Sequence, residues 1–244
     1  MVKTIDYYDY WNKNRDNKVI WQREKLALKI IGNILKDKDK ILDIACGNGK
    51  FMRIMFNKFK NKNLEIKGID YSEVEVKEAK SHGLDVKRVN LEEGIPFDNN
   101  SFDIIYAGEI IEHLYNADYF LSEVNRILKK GGHIVFSTPN LCAWFNRIFM
   151  PLGIQPLFLE PSTKSKLVGA GVLKRFKKES QPVGHIRIFT IAALKDMLKM
   201  NNFRNISVKG ALYDEGLPKS LLFIDKIFSF EPRLASNLLV IAKK

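Results

Sequence analysis

Residues 40–50 read KILDIACGNGK, an apolar run that ends in two glycines separated by one residue. The run from Lys40 to Ala45 has the length and the branched apolar residues of a buried strand. Apolar residues at helical spacing follow over 49–59, so Gly47 and Gly49 lie in a tight turn between a strand and a helix. Such a turn brings bare backbone and the N–H groups of a helix N-terminus together. We therefore expect a ligand-binding loop here.

Short apolar runs and helical patterns alternate on both sides of this loop. A helix is predicted over 20–35, and later helices over 73–81, 116–129 and 191–200, with Gly131-Gly132 ending the third of these four. Further strands are predicted over 64–70, 85–90, 101–107, 133–137, 204–210 and 236–242. Alternation of this kind predicts an α/β fold, with a parallel sheet covered by helices on both faces.

Residues 140–187 interrupt the alternation. They mix prolines with aromatic residues and glycines, among them Pro151, Pro156, Trp144 and Phe158. A long, irregular, partly apolar segment is usually a binding element. We predict one domain over residues 1–244, with 140–187 inserted as a substrate lid.

Composition limits the class of protein. The chain has 244 residues, 45% of them hydrophobic, which excludes a wholly disordered protein. Two cysteines, Cys46 and Cys142, cannot build a disulfide framework. The first residues contain no apolar core of signal-peptide length, and no run of eighteen apolar residues exists. We expect a cytoplasmic protein without a transmembrane segment.

An acidic residue at the end of the second predicted strand also indicates a ligand site. Asp70 follows Gly49 by 21 residues, and a carboxylate there suits the two hydroxyls of a ribose. The set predicts a nucleoside-containing cofactor. A dinucleotide fingerprint would need glycine at Ala45, and position 50 is lysine. Asp43 is unsuited to a pyrophosphate but suits an ammonium group, so an NAD-dependent oxidoreductase is disfavoured.

At this point the sequence resembles the class I S-adenosylmethionine-dependent methyltransferases, whose first motif is D-x-G-x-G-x-G. The motif runs here from Asp43 to Gly49, with Ala45 in place of the first glycine. Other stretches that match the family are 89–97, 101–103, 127–132 and 185–190. The resemblance is closest to small enzymes like the ubiquinone-pathway O-methyltransferases. It implies a Rossmann-like, seven-stranded, mostly parallel sheet and S-adenosylmethionine as cofactor.

The resemblance also implies the cofactor contacts. The turn residues would line the methionine and ribose, Asp70 would hold the ribose hydroxyls, and Gly108 would pass its backbone by the methionine. The positions implied are Asp43, Ala45, Gly47, Gly49, Asp70, Tyr71, Asn90, Leu91 and Gly108. Arg23 could reach the methionine carboxylate, although we expect a solvated arginine there. The N-terminal aromatic residues Tyr7, Tyr8, Tyr10 and Trp11 would either fold over the cofactor or anchor the N-terminus.

A second constellation, Glu109-Ile110-Ile111-Glu112-His113, follows the fourth strand directly. Helical spacing would place both carboxylates and the imidazole on one side. His113 is the first candidate for a general base, because the ordinary pKa of histidine lies near neutral pH. Alternatively, Glu109, Glu112 and His113 would hold a divalent metal, with His185 as a fourth ligand. Similar E-x-x-E-H segments occur in metal-dependent O-methyltransferases and in relatives without a known metal.

The methyl acceptor is not defined by these motifs. The lid combines aromatic residues with the basic cluster 174–178, which favours an apolar or glycan-like acceptor with an anionic group. The resemblance to small methyltransferases implies a quinone-like ring or a saccharide. A formal charge of +12 leaves an RNA acceptor as the rival prediction. A non-catalytic, cofactor-binding subunit is the third alternative.

Overall fold

The computed structural model describes residues 20–176, 181–214 and 217–244. Within these ranges the helices are α1 Gln22–Ile34, α2 Lys50–Lys58, α3 Glu73–Ser81, α4 Ala117–Ile127, α5 Trp144–Phe149, α6 Ile191–Met200 and α7 Lys219–Phe228. The strands are β1 Lys40–Ile44, β2 Glu65–Asp70, β3 Asp85–Arg88, β4 Phe102–Gly108, β5 Leu128–Pro139, β6 Arg204–Ala211 and β7 Asn237–Lys243. Short 3-10 turns span Ile111–His113, Met150–Leu152 and Gly171–Phe176. The N-terminal aromatic residues, and part of the 174–178 cluster, lie outside the described residues.

The strands form one sheet in the order β3-β2-β1-β4-β5-β7-β6. The first five strands are parallel, and β7 runs antiparallel between β5 and β6. The α/β class and the mostly parallel, seven-stranded sheet predicted above are confirmed. The strand order reverses direction between β1 and β4, and ligands bind at the carboxyl ends of the strands at such a point. This is where residues 45–49 and 108–109 leave the sheet.

The continuous apolar character of β1 comes from burial on both faces. Leu42 and Ile44 belong to the core cluster on one side of the sheet, and Ile41 to the cluster on the other. A strand of a parallel sheet covered on both faces has no solvent side, which explains the lack of alternation. Asp43 shares the side of Ile41 in this alternation, so a carboxylate enters an otherwise apolar layer.

One predicted boundary is wrong. We expected the helix to continue to residue 129 and Gly131-Gly132 to end it, but α4 ends at Ile127 and β5 begins at Leu128. The pairing of β4 with β5 contains a register shift between Phe102 and Ile104. Gly131 has a φ of 81°, which fits an irregularity within the strand. The glycines therefore bend β5 instead of ending a helix.

Residues 140–187 leave the sheet after β5 and return beside it, where Asn140 forms an isolated bridge with Phe189. In its described part this insert holds α5 and two 3-10 turns between irregular stretches. A function as a substrate lid stays a prediction. Across the described ranges, none of the helices has the length and apolar content needed to cross a membrane.

Candidate functional site

The loop after β1 has an unusual backbone. Ala45, Gly47 and Gly49 all have positive φ values, of 57°, 54° and 74°. The φ of Gly49 favours glycine, and a Cβ atom there would also displace the side chain of Leu84. Ala45 adopts the same left-handed conformation with a Cβ, which is strained for a residue other than glycine. The departure from the family motif therefore has a cost in backbone strain.

That strain predicts a stabilising substitution. We expect Ala45→Gly to raise the free energy of unfolding by about 0.5–1 kcal/mol, since relief of left-handed strain exceeds the added entropy of the unfolded chain. Urea unfolding followed by circular dichroism measures the change. Ala193→Gly, in the first turn of α6, is the matched control and should lower stability by up to about 1 kcal/mol. A loss of stability in Ala45→Gly would contradict the strain argument.

Asp70 holds this loop in place. One carboxylate oxygen accepts a hydrogen bond from the backbone N–H of Gly47 at 2.8 Å, and the other accepts from that of Ser72 at 2.8 Å. Ser72 is the N-cap of α3, so Asp70 connects the glycine loop to the start of the next helix. Contact between Asp70 and a ribose remains a prediction.

A cleft opens beside the loop, with a volume of about 620 Å³ when the open solvent at its mouth is included. Of the predicted cofactor residues, Asp43, Ala45, Gly47 and Gly108 line it. The remaining predicted positions are not among its lining residues: Gly49, Asp70, Tyr71, Asn90 and Leu91. The cleft thus collects the residues assigned to the methionine part of the cofactor, and the adenine contacts stay a prediction.

Asp43 brings an uncompensated carboxylate to the cleft. Its side chain is 1% exposed, and its Oδ2 atom has no hydrogen-bond partner among the described residues. Burial raises the pKa of Asp43 well above its usual value, and the charges of Asp70 and Glu24 raise it further. A buried acceptor without a partner is costly, so the site is suited to a cationic ligand.

Arg23 corrects an expectation. We expected a solvated arginine, but the residue is 2% exposed and lines the cleft. It shares one stripe of α1 with the buried Ala27 and Ile31, at a spacing of four residues. Its Nε lies 3.7 Å from Oε1 of Glu109. The apolar stripe was the signal that this arginine points inward, where it could meet a carboxylate of a bound ligand.

The cleft also has an aromatic wall, which the sequence motifs did not indicate. The rings of Phe51 and Tyr106 stack with their centroids 4.1 Å apart. The Tyr106 hydroxyl lies 2.6 Å from the position that a Cβ on Gly108 would take, so the tyrosine requires glycine there. Tyr106 and Gly108 are two residues apart on β4 and therefore share a face. Once Gly108 was assigned to the cofactor site, the alternation of side chains along a strand would have predicted that Tyr106 faces the same site.

An ion pair closes one side of the cleft. Lys50 Nζ lies 3.1 Å from Oε2 of Glu24, and both residues line the cleft. The pair joins α1 to the first residue of α2, so the helix before β1 and the helix after it are held together at the cleft.

The second constellation is split by the fold. Glu112, His113 and His185 can bring one ligand atom each within 4.8 Å of one another, and the two imidazole rings lie 4.9 Å apart. Glu109 is not part of this cluster, because it lines the cleft beside Arg23. The prediction that Glu109 joins Glu112 and His113 in one set of metal ligands is therefore wrong, although its charge still acts on Glu112. Glu109 has a φ of 52°, so the chain turns before the 3-10 turn Ile111–His113 begins.

Burial controls the protonation of this cluster. Glu112 is fully buried, which raises the pKa of its carboxyl well above the usual value, and Glu109 raises it further. One Glu112 oxygen accepts a hydrogen bond from Thr138 Oγ1 at 3.0 Å, and the other has no hydrogen-bond partner among the described residues. Burial and His185 lower the pKa of His113 to about 3. The imidazole is neutral at pH 7, but the expectation of an ordinary histidine pKa is wrong.

The insert supplies His185 to the cluster, and Glu160 of the insert holds the backbone around it. Its carboxylate accepts hydrogen bonds from the backbone N–H groups of Val183, Gly184 and His185 at 2.7–3.1 Å. The carbonyl oxygen of Gly184 lies 3.1 Å from Nδ1 of His113. Glu160 therefore holds the backbone that carries one imidazole and orients the other.

Comparisons with known proteins identify the family. A profile of the methyltransferase domain family matches residues 11–208. Ubiquinone biosynthesis O-methyltransferase of Alkalilimnicola ehrlichii is 26% identical over 139 residues, which are 54% of this chain and 55% of that protein. Demethylmenaquinone methyltransferase of Staphylococcus aureus is 32% identical over 120 residues, which are 48% of each protein. The chain matches about half the length of these curated relatives.

A solved structure extends the likeness to the whole fold. An S-adenosylmethionine-dependent methyltransferase from Archaeoglobus fulgidus superposes with a TM-score of 0.60 at 18% identity, covering 98% of this chain and 100% of that one. The family profile, the sheet order and the glycine loop at the cleft lead to one conclusion: the chain belongs to the class I S-adenosylmethionine-dependent methyltransferase family.

Proposed function

We propose that this protein transfers a methyl group from S-adenosylmethionine to a hydroxyl of a small, quinone-like or glycan-type acceptor. The observation that carries the proposal is the cleft lined by a buried Arg23 and by a buried Asp43 whose Oδ2 atom has no hydrogen-bond partner among the described residues. Glu112 and His113 follow the cleft residue Gly108 by four and five positions in the chain. His185, from the end of the insert, completes the cluster. Both curated relatives have a quinone in their names, which supports the acceptor class.

The cleft residues fit the methionine part of the cofactor. The orphaned oxygen of Asp43 would accept a hydrogen bond from the ammonium group, and Arg23 would pair with the carboxylate. Gly47 and Gly108 leave bare backbone where a ligand must approach closely. Phe51 and Tyr106 supply the apolar wall. When bound, S-adenosylmethionine supplies an electrophilic methyl group.

The residues of the cluster would prepare the acceptor. An acceptor hydroxyl must lose its proton as the new bond forms, and the neutral imidazole of His113 can take it. A pKa of about 3 makes His113 a weak base, so its main contribution is to orient the hydroxyl and receive the proton in the transition state. Glu160 holds the loop that fixes the ring of His113.

A divalent metal is the alternative means of activating the hydroxyl. The orphaned, buried oxygen of Glu112 and the two imidazoles form a mixed oxygen and nitrogen donor set that fits a transition-metal ion. Glu112, His113 and His185 would hold the ion, which would lower the pKa of the hydroxyl. In that case His113 is a ligand and not the base.

Glu160 provides a prediction for the proposed reaction. We expect Glu160→Gln to lower kcat about tenfold to a hundredfold while the Kd for S-adenosylmethionine stays unchanged, because a shift of the 183–185 backbone misplaces both imidazoles. Steady-state kinetics and calorimetric titration measure the two effects. Glu231→Gln, on an exposed turn, is the matched control. Equal losses of turnover and cofactor affinity would show that Glu160 supports the whole fold instead.

The test of the function is methyl transfer from labelled S-adenosylmethionine into host-cell extract, with products divided into RNA, lipid and small-molecule fractions. Label in the lipid or small-molecule fraction supports the proposal. Label in RNA would favour the rival acceptor suggested by the charge of +12. A protein that binds the cofactor and labels nothing would favour a non-catalytic subunit.

A further inference from the structure

The outward side of α7 and the turn after it present an apolar row to solvent. Phe223, Ile227 and Phe230 are 70%, 54% and 82% exposed. They recur at intervals of four and three residues, so they project from one side of the helix. Single exposed apolar side chains are ordinary, but three large ones in a row on one side of a helix are typical of an interaction surface.

Two lysines lie on the same side. Lys219 and Lys226 are exposed and flank the apolar row, and together the five side chains form what we call the α7 face. The acid of this helix, Asp225, is fully buried and accepts hydrogen bonds from Trp144 Nε1 and the Tyr213 backbone at 2.9 Å. No negative charge of α7 therefore opposes the lysines. Beyond the helix, Glu231 is paired with Arg233 at 3.6 Å.

The start of the insert packs against α7 and the turn after it. The Trp144 ring of α5 stacks on Phe228 at 5.4 Å, and Arg147 donates a hydrogen bond to the carbonyl of Arg233 at 3.2 Å. The same part of the insert also exposes the apolar side chains of Ile148, Met150 and Leu152.

We propose that the α7 face binds the surface of an anionic lipid bilayer. A helix with aromatic residues and lysines on its exposed side is suited to the boundary between lipid headgroups and acyl chains. The lysines would lie against the headgroup phosphates, and the chain's charge of +12 adds attraction at longer range. A symmetric contact between two copies is disfavoured, because it would bring the same lysines together. This surface does not depend on the proposed reaction.

Sedimentation of the full chain with lipid vesicles tests the proposal. At ~0.1 M salt we expect binding to vesicles of phosphatidylglycerol and phosphatidylcholine, weaker binding to phosphatidylcholine alone, and weakening at ~0.5 M salt. Phe223→Ser/Phe230→Ser should lower partitioning at least about tenfold on the mixed vesicles. Lys219→Gln/Lys226→Gln should lower it about tenfold on the mixed vesicles and little on the neutral ones.

Matched variants on α6 separate the α7 face from general surface charge. Lys195→Gln/Lys199→Gln removes two exposed lysines and Met200→Ser an exposed apolar side chain, and both should leave partitioning unchanged. The proposal is overturned if the unaltered chain stays in the supernatant, or if the α6 and α7 variants lose binding equally. Light scattering measures the oligomeric state of the chain. If the unaltered chain is a dimer and Phe223→Ser/Phe230→Ser is a monomer, the α7 face binds a second copy and the proposal is overturned.

Discussion

Asp43→Asn is expected to weaken S-adenosylmethionine binding about tenfold to a hundredfold while the apo protein becomes no less stable. The carboxylate is buried and has an oxygen without a hydrogen-bond partner among the described residues, so the apo fold gains nothing from its charge. Its raised pKa means that the folded state holds this proton more tightly than the unfolded chain. Stability from this group is therefore lost as pH rises above about 4, and asparagine removes that loss.

The same raised pKa predicts a pH dependence of binding. A cationic ligand favours the charged carboxylate, so binding should release a proton and become tighter as pH rises toward the raised pKa of Asp43. Calorimetry in buffers of different ionisation enthalpy measures the released proton, and thermal unfolding of the apo protein measures stability. Asp98→Asn, an exposed acid, should change neither result. Unchanged affinity in Asp43→Asn would remove this residue from the cofactor site.

His113→Gln is expected to lower kcat about a hundredfold to ten-thousandfold with little change in the Kd for S-adenosylmethionine. The imidazole is neutral at pH 7, lies 4.9 Å from the ring of His185, and is not among the residues that line the cleft. Removing it therefore affects the acceptor and not the cofactor. Initial rates with the acceptor fraction found by labelling, together with cofactor titration, measure the two effects.

A chelator distinguishes the two roles of His113. If the imidazole takes the proton directly, EDTA leaves the turnover of the unaltered protein intact. If Glu112, His113 and His185 hold a metal, EDTA abolishes turnover and a divalent ion restores it, while His113→Gln is not restored. His82→Gln, an exposed histidine at the end of α3, is the matched control. Full turnover in His113→Gln would exclude both roles.

The burial of α1 shows how far a sequence pattern reaches. The helical stripe placed Arg23 beside Ala27 and Ile31, which was enough to predict that it is buried, yet the charge of the side chain led to the opposite expectation. Arginine is rarely buried without a partner. The partner, Glu109, follows the end of β4 and is 86 residues further along the chain than Arg23. The spacing of residues within α1 therefore could not predict the pair.

Glu109 and Glu112 show the same limit. Their spacing matches one turn of a helix, but the positive φ of Glu109 turns the chain, so that Glu109 lines the cleft while Glu112 belongs to the cluster with His113 and His185. Glu112 instead joins His185, which reaches it because Glu160 holds residues 183–185 from within the insert. The insert's irregular sequence has no periodicity from which this contact could have been predicted.

Local signals in the sequence determined the α/β class, the parallel strands β1 to β5 and the glycine loop after β1. These signals are the spacing of apolar residues, the length of the apolar runs and the backbone freedom of Gly47 and Gly49. These signals act over a few residues, so a single sequence reveals them. The pairing of Arg23 with Glu109, the lowered pKa of His113 and the position of His185 were decided by tertiary structure. Burial and charge neighbours depend on contacts between distant segments, and those contacts exist only once the chain has folded.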